Sequence, residues 1–163
     1  MSNLGFQTVY GLLASTHGIL CERAFLPERA ELDAQRRDNA SILSLESGSP
    51  LAVFDIIAFS VSFEPDYVNI PLMLGRSRIP IWSRDRDGTH PLIIAGGAAL
   101  FINPEPVADF LDLVCIGEGE EMVPDLVATL MSPDPMDRRE LLATLSVLPG
   151  IYVPSLHHRR HGS

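Results

Sequence analysis

Two glycine-bearing turns, each closing an aliphatic run, carry most of the chemistry this chain offers. Gly96-Gly97 follows Pro91-Leu92-Ile93-Ile94-Ala95, and Gly117-Glu118-Gly119-Glu120-Glu121 follows Leu113-Val114-Cys115-Ile116. Glycine at the end of a buried strand lets backbone or ligand approach where a side chain would block it. Ligands of open α/β sheets bind at that edge. The double glycine reads equally as a tight turn or as a floor for a flat ligand. In the second turn, Met122 stands where a dinucleotide loop needs its third glycine, and three glutamates would repel a pyrophosphate. The pattern argues against a nicotinamide dinucleotide. The glutamates complement a helix N-terminus, at ~0.3–1 kcal/mol each, or accept hydrogen bonds from a neutral or cationic ligand. Ser60-Val61-Ser62 ends a third apolar run, 55–61, so its hydroxyls belong to the same edge. There they satisfy loop backbone or meet a ligand.

Other reactive residue types do not assemble into a mechanism. Cys21 and Cys115 lie far apart, each in an apolar run, and read as buried structural thiols. Two cysteines cannot supply a four-thiolate site, and no C-x-x-C spacing occurs. His17 precedes Gly18 at a helix end, His90 sits in a loop, and Asn103-Pro104-Glu105-Pro106 is a rigid loop into a helix. His157, His158 and His161 belong to a polar tail, solvated or metal-binding. No Ser-His-Asp or Cys-His arrangement can be assigned.

The elements that must position these turns alternate between strand and helix. Aliphatic runs without polar alternation suit strands buried on both faces of a parallel sheet. Strands are expected over 19–26, 55–61, from Leu92, from Leu113 and, at an edge, over 151–153, with a short extended segment at 42–45. Helices are expected over 4–15, 28–39, 67–74, near 106–110, over 120–131 and over 137–145, with 83–90 as a polar loop. Ser2 or Asn3 is placed to cap the first helix. This alternation predicts a doubly wound α/β sheet. Starting on a helix is unusual for that architecture, which normally begins with a central strand.

A chain of 163 residues with 46% hydrophobic residues is expected to fold as one domain with a real core. The net charge of −9 disfavours nucleic acid, whose phosphates require clustered positive charge. All 12 basic residues are arginine. The absence of lysine removes Schiff-base chemistry, a phosphate-loop lysine and the lysine of a phospho-receiver pocket together. No apolar stretch approaches the ~20 residues that span a bilayer, and no secretion signal opens the chain. A cytoplasmic location, with no membrane partner, is expected.

Taken in order, six segments resemble the N-terminal region of radical SAM proteins carrying a cobalamin-binding-like domain. They are residues 1–13, Ser44-Leu45-Glu46-Ser47-Gly48-Ser49-Pro50, Asp55-Ile56-Ile57-Ala58-Phe59-Ser60, Ile94-Ala95-Gly96-Gly97, Asn103-Pro104-Glu105-Pro106 and Ile116-Gly117-Glu118-Gly119-Glu120-Glu121. The resemblance implies a flavodoxin-like, doubly wound parallel sheet lacking its usual first strand. Residues 1–154 would form this domain, and 155–163 a polar C-terminal tail. It also implies cobalamin over the carboxyl ends of the strands, with contacts from Ser2, Asn3, Gly5, Ser60, Ser62, Gly96, Gly97, Gly117, Glu118 and Gly119. In cobalamin-binding members a D-x-H-x-x-G motif supplies the cobalt ligand. Here Gly5 matches the closing glycine and Ser2 stands at the histidine position. The family's S-x-L turn corresponds to Ser60-Val61-Ser62, with serine for leucine.

In relatives, the iron–sulfur cluster and S-adenosylmethionine belong to a radical SAM domain in cis. Its C-x-x-x-C-x-x-C motif is absent from this chain. The resemblance therefore implies an accessory domain without radical chemistry of its own. The alternative is an interaction fragment that docks or forms homo-oligomers through an incomplete sheet.

Overall fold

The computed structural model describes residues 4–157. Strands β1 (Ile56–Ser60), β2 (Leu92–Gly96), β3 (Leu113–Cys115) and β4 (Ile151–Tyr152) form one sheet in the order β1-β2-β3-β4. The first three run parallel, and β4 is antiparallel to β3. Around them lie α1 (Leu4–Ser15), α2 (Arg29–Arg37), α3 (Asn69–Arg76), α4 (Ala98–Ile102), α5 (Gly119–Leu130), α6 (Arg138–Leu145) and α7 (Pro154–His157). This is the mixed α/β, mostly parallel arrangement of a flavodoxin-like fold.

The pleat divides the core. Ile93 and Ala95 of β2 and Val114 of β3 face one apolar cluster with Ile70 and Leu74 of α3. Leu92 and Ile94, together with Leu113, face the other, with Leu126 of α5 and Leu145 of α6. Helices cover both faces, so β2 is buried from Leu92 to Ala95. That is why its sequence is continuously aliphatic rather than alternating.

Three expectations need correction. The run 55–61 forms β1, yet it lies at the sheet edge with Ala58 and Ser60 exposed. Its apolar sequence suits a two-sided strand, but no described residue pairs with its outer edge. Residues 19–26 are extended without joining the sheet. Their backbone bonds instead to a turn, Leu45 N–H donating to the Arg23 carbonyl at 2.8 Å. The expected 67–74 helix is divided into a 3-10 turn, Glu64–Val68, and α3. Helix α4 was not expected. Residues 154–157, from the domain's end into the tail, form a helical turn with Pro154 buried, while His158 and His161 lie outside the described residues.

Buried polar contacts fasten this frame. At the amino end of β3, Asp112 Oδ2 accepts from Arg86 Nε (3.2 Å), an Arg138 guanidinium N–H (2.8 Å) and Ile93 N–H (2.7 Å). Beneath α4, Tyr67 shares its hydroxyl proton between the carbonyls of Ala99 (2.9 Å) and Asn103 (2.6 Å). Tyr67→Phe should therefore lower unfolding stability by about 1–3 kcal/mol, because buried carbonyl capacity is left unmet. The shift in urea midpoint, at unchanged slope, measures it. Helix α6 begins with a capping box. Asp137 accepts from Glu140 N–H at 2.8 Å, and Glu140 from Asp137 N–H at 3.1 Å.

Candidate functional site: the carboxyl rim and the β1 groove

Strand register brings the sequence-derived turns together. Ser60 is level with Gly96, and Gly96 with Cys115, so the turns at Ser62, Gly97 and Gly117 all leave the same end of the sheet. The chain's own atoms lie against each glycine, closest at Gly97. Gly97 has φ +119°, and a Cβ there would collide with the backbone of Val61. Around it, Val61 N–H donates to the Gly96 carbonyl (2.8 Å), and Ala99 N–H to the Val61 carbonyl (3.3 Å). The double glycine is therefore a strand-to-helix crossing in which two backbones touch. Behind Gly96, the Cys115 side chain lies 3.4 Å from a built Cβ. Burial pushes the Cys115 thiol up to about 11, so it is a neutral packing group at neutral pH.

The second turn is packed in the same manner. Gly117 (φ +143°) lies over the Met122 sulfur, which a Cβ would meet at 3.5 Å, and a Cβ on Gly119 would come within 2.9 Å of Val9 of α1. Glu118 is exposed, and its carbonyl accepts from Glu121 and Met122 N–H groups, opening α5. Gly150 completes the turn and was not anticipated. Its φ is +76°, its Cβ position is taken by Met122, and its carbonyl accepts from Ile116 N–H at 2.7 Å. Pro149-Gly150 is the only local signal for it, a turn dipeptide.

The remaining expected contacts are distributed as follows. Ser60 is exposed, and Ser62 is half-buried in the loop after β1. Gly5 lies in the first turn of α1, exposed. Ser2 and Asn3 lie outside the described residues. The described histidines are elsewhere. His17 follows α1 near the far end of α5, where Gly18 meets Met131. His90 precedes β2 and contacts Asp87 at 2.9 Å, and His157 bonds to the Val153 carbonyl. Among the described residues, no cluster of three or more His, Cys, Asp or Glu side chains could hold a metal ion.

A groove of about 390 Å³ lies beside β1. It is lined by every residue from Ile56 to Val61, by Ile70 and Met73 of α3, by Phe6 of α1 and by the extended segment 22–26. The Phe6 and Phe25 rings meet at 5.6 Å on its wall. Sequence reasoning missed it, because an edge strand and a central strand share one composition.

A family model described as radical SAM proteins, N-terminal, matches residues 5–154. The chain belongs to the radical SAM N-terminal family. No curated protein and no solved structure matches it. The family match spans all four strands, both glycine turns and the β1 groove. Every feature of the rim is thus part of the radical SAM N-terminal domain, and the radical SAM domain itself occurs in cis in relatives. Among the described residues, no helix is long and apolar enough to cross a membrane.

Proposed function

We propose that this chain is a cytoplasmic accessory domain of a radical SAM protein, cobalamin-binding-like in architecture and without radical chemistry of its own. The observation that carries this reading is the family match over 5–154 in a chain with two cysteines, Cys21 and Cys115. A three-cysteine cluster motif cannot be built from them. Cluster, S-adenosylmethionine and substrate chemistry then belong to a radical SAM domain in cis or in trans.

Cobalamin is the finer question. The residues present do not fit it. No described histidine stands at the rim to ligate cobalt, and the spaces opened by Gly97 and Gly119 are taken by Val61 and Val9. The rim positions left open to a ligand among the described residues are Ser60, Glu118 and the backbone of Gly97 and Gly117, and none of them is a cobalt ligand. On this reading hydroxocobalamin added to the purified chain keeps its free visible spectrum at high protein concentration. A saturable shift of its absorption bands would contradict the reading and return those rim residues to cofactor binding.

A second reading is favoured by one specific observation, the unpaired outer edge of β1. Exposed strand edges template pairing with other chains. Concentration-dependent sedimentation would support an interaction role. A compact monomer at all concentrations would contradict self-association.

A further inference from the structure

We infer that the outward face of α4, formed by Ala98, Phe101 and Ile102, is the surface on which a radical SAM domain docks through an uncharged apolar patch of its own. The inference rests on reading this chain as an accessory domain, and goes further by naming where its partner sits.

Composition sets α4 apart. Its five residues, Ala98–Ile102, include no polar or charged side chain. Ala99 and Leu100 turn inward, into the cluster that holds Val61 and Tyr67. Ala98, Phe101 and Ile102, at i, i+3 and i+4, share the opposite face. Phe101 is 66% exposed and Ile102 74%. Water-facing helix surface elsewhere in the chain is charged, through Glu31 and Asp33 on α2 and Arg139 and Glu140 on α6. On the turn tied to α4, Phe63 and Val68 bracket Tyr67 and are exposed as well. Apolar residues scattered singly on a surface need no explanation, but a helix that is apolar all round is one that becomes buried. The face is also held rigid. Tyr67 binds the Ala99 and Asn103 carbonyls, and Phe101 N–H donates to the Gly97 carbonyl at 3.1 Å. A pre-ordered anchor loses little freedom on docking.

The path of the chain selects the occupant. The family region is the N-terminal part of radical SAM proteins, so in relatives the radical SAM domain lies downstream of it. The chain passes from β4 into α7, and contacts link α7 to the end of α4. His157 stacks on Tyr152 at 4.9 Å, and the Tyr152 hydroxyl donates to Glu105 at 3.3 Å. Glu105 N–H in turn donates to Asn103 Oδ1 at 3.2 Å, and Asn103 directly follows Ile102. A domain tethered there meets α4 at an effective concentration of about 1 mM or more, so a small apolar contact suffices to hold it. A second copy lacks that tether. Three outward side chains fall well short of the roughly 800 Å² per partner that a stable untethered interface buries. The face is also separate from the outer edge of β1. Helix α4 packs with α3 over one side of the sheet, whereas α1 packs on α5 over the other. A strand added beside β1 extends the sheet and leaves α4 exposed.

The test is an NMR titration of the full ¹⁵N-labelled chain with the radical SAM domain of a two-domain relative, produced as a separate polypeptide. Saturable amide shifts are expected at 98–102 and 63–68, half-complete at or below about 1 mM. The double variant Phe101→Asp, Ile102→Asp should weaken binding by about tenfold or more, since aromatic and aliphatic anchors carry most of a small interface. Val147→Asp, an exposed apolar position away from α4, should leave binding unchanged. The unperturbed shifts of β2 and β3 in each variant show that it is folded, and Ile102→Asp alone serves if the double variant is not. No shifts at about 1 mM, shifts confined to other surfaces, or undiminished binding by the variants overturns the inference. Shifts at α4 that grow with chain concentration alone assign the face to a second copy and overturn it too. The accessory reading is separable: it falls only if the chain by itself cleaves S-adenosylmethionine, whatever α4 does.

Discussion

Asp112→Ala is expected to cost about 3–5 kcal/mol of unfolding stability, the range for removing one partner from a buried ion pair. The Asp112 carboxylate is 3% exposed as a residue, and the Arg86 side chain is fully buried. Burial acts to lower the Arg86 pKa, and the facing Asp112 charge opposes it. With the carboxylate gone, a buried guanidinium keeps only carbonyl acceptors, those of Pro80, Ile81 and Phe110. Arg138 keeps the carbonyls of Asp87, His90 and Pro91. Loss of Asp112 therefore unties the Arg86 loop and the start of α6 from β2 at the amino edge of the sheet. Asp112→Asn retains an acceptor and removes the charge, so its loss should be intermediate. Trp82, the single tryptophan, packs on Phe110 at 5.0 Å beside this cluster and reports unfolding in urea. Wild-type stability in Asp112→Ala would show that the triad contributes nothing net.

Gly97→Ala should be nearly as damaging, with an expected loss of about 3 kcal/mol or more from a backbone region that is essentially glycine-only. At φ +119° and ψ 171° the residue is strained for any L side chain, and the added methyl strikes the Val61 backbone. Relief requires β1 and β2 to separate at the rim, which breaks the Val61–Gly96 hydrogen bond. Gly96→Ala is the control. Its built Cβ stands 3.4 Å from Cys115 atoms, so a shift of a few tenths of an ångström accommodates it. Thermal unfolding should rank the variants Gly97→Ala, then Gly96→Ala, then wild type, in order of rising midpoint. Equal midpoints for the two variants would remove the crossing argument.

These two positions show what could be read before the fold was known. The aliphatic run from Leu92 and its double glycine announced a buried strand and a special turn, and both are present. That the special turn is a backbone crossing depends on Val61, thirty-odd residues away, and no local pattern carries that contact. The loop containing Arg86 reads only as polar because composition cannot reveal a carboxylate 26 residues further on. Residues 19–26 have the composition of a strand, and whether a strand pairs is decided by its neighbours. Helix α4 escaped notice for a related reason. Five residues after a glycine pair are too few to display a period, and Ala99 and Leu100 are buried only because β2 delivers them into the core. At the rim, the positions of Ser60, Gly96 and Gly117 were legible from strand ends alone. The close approach of Val61 to Gly97 was not.

On the proposed reading this chain supplies a folded α/β platform, and a radical SAM domain supplies the cluster and its chemistry. The most direct measurement is anaerobic reconstitution of the purified chain with iron and sulfide, followed by dithionite and S-adenosylmethionine, with 5′-deoxyadenosine read by chromatography. The account predicts no 5′-deoxyadenosine above the protein-free control. Catalytic formation of 5′-deoxyadenosine by this chain alone would contradict it.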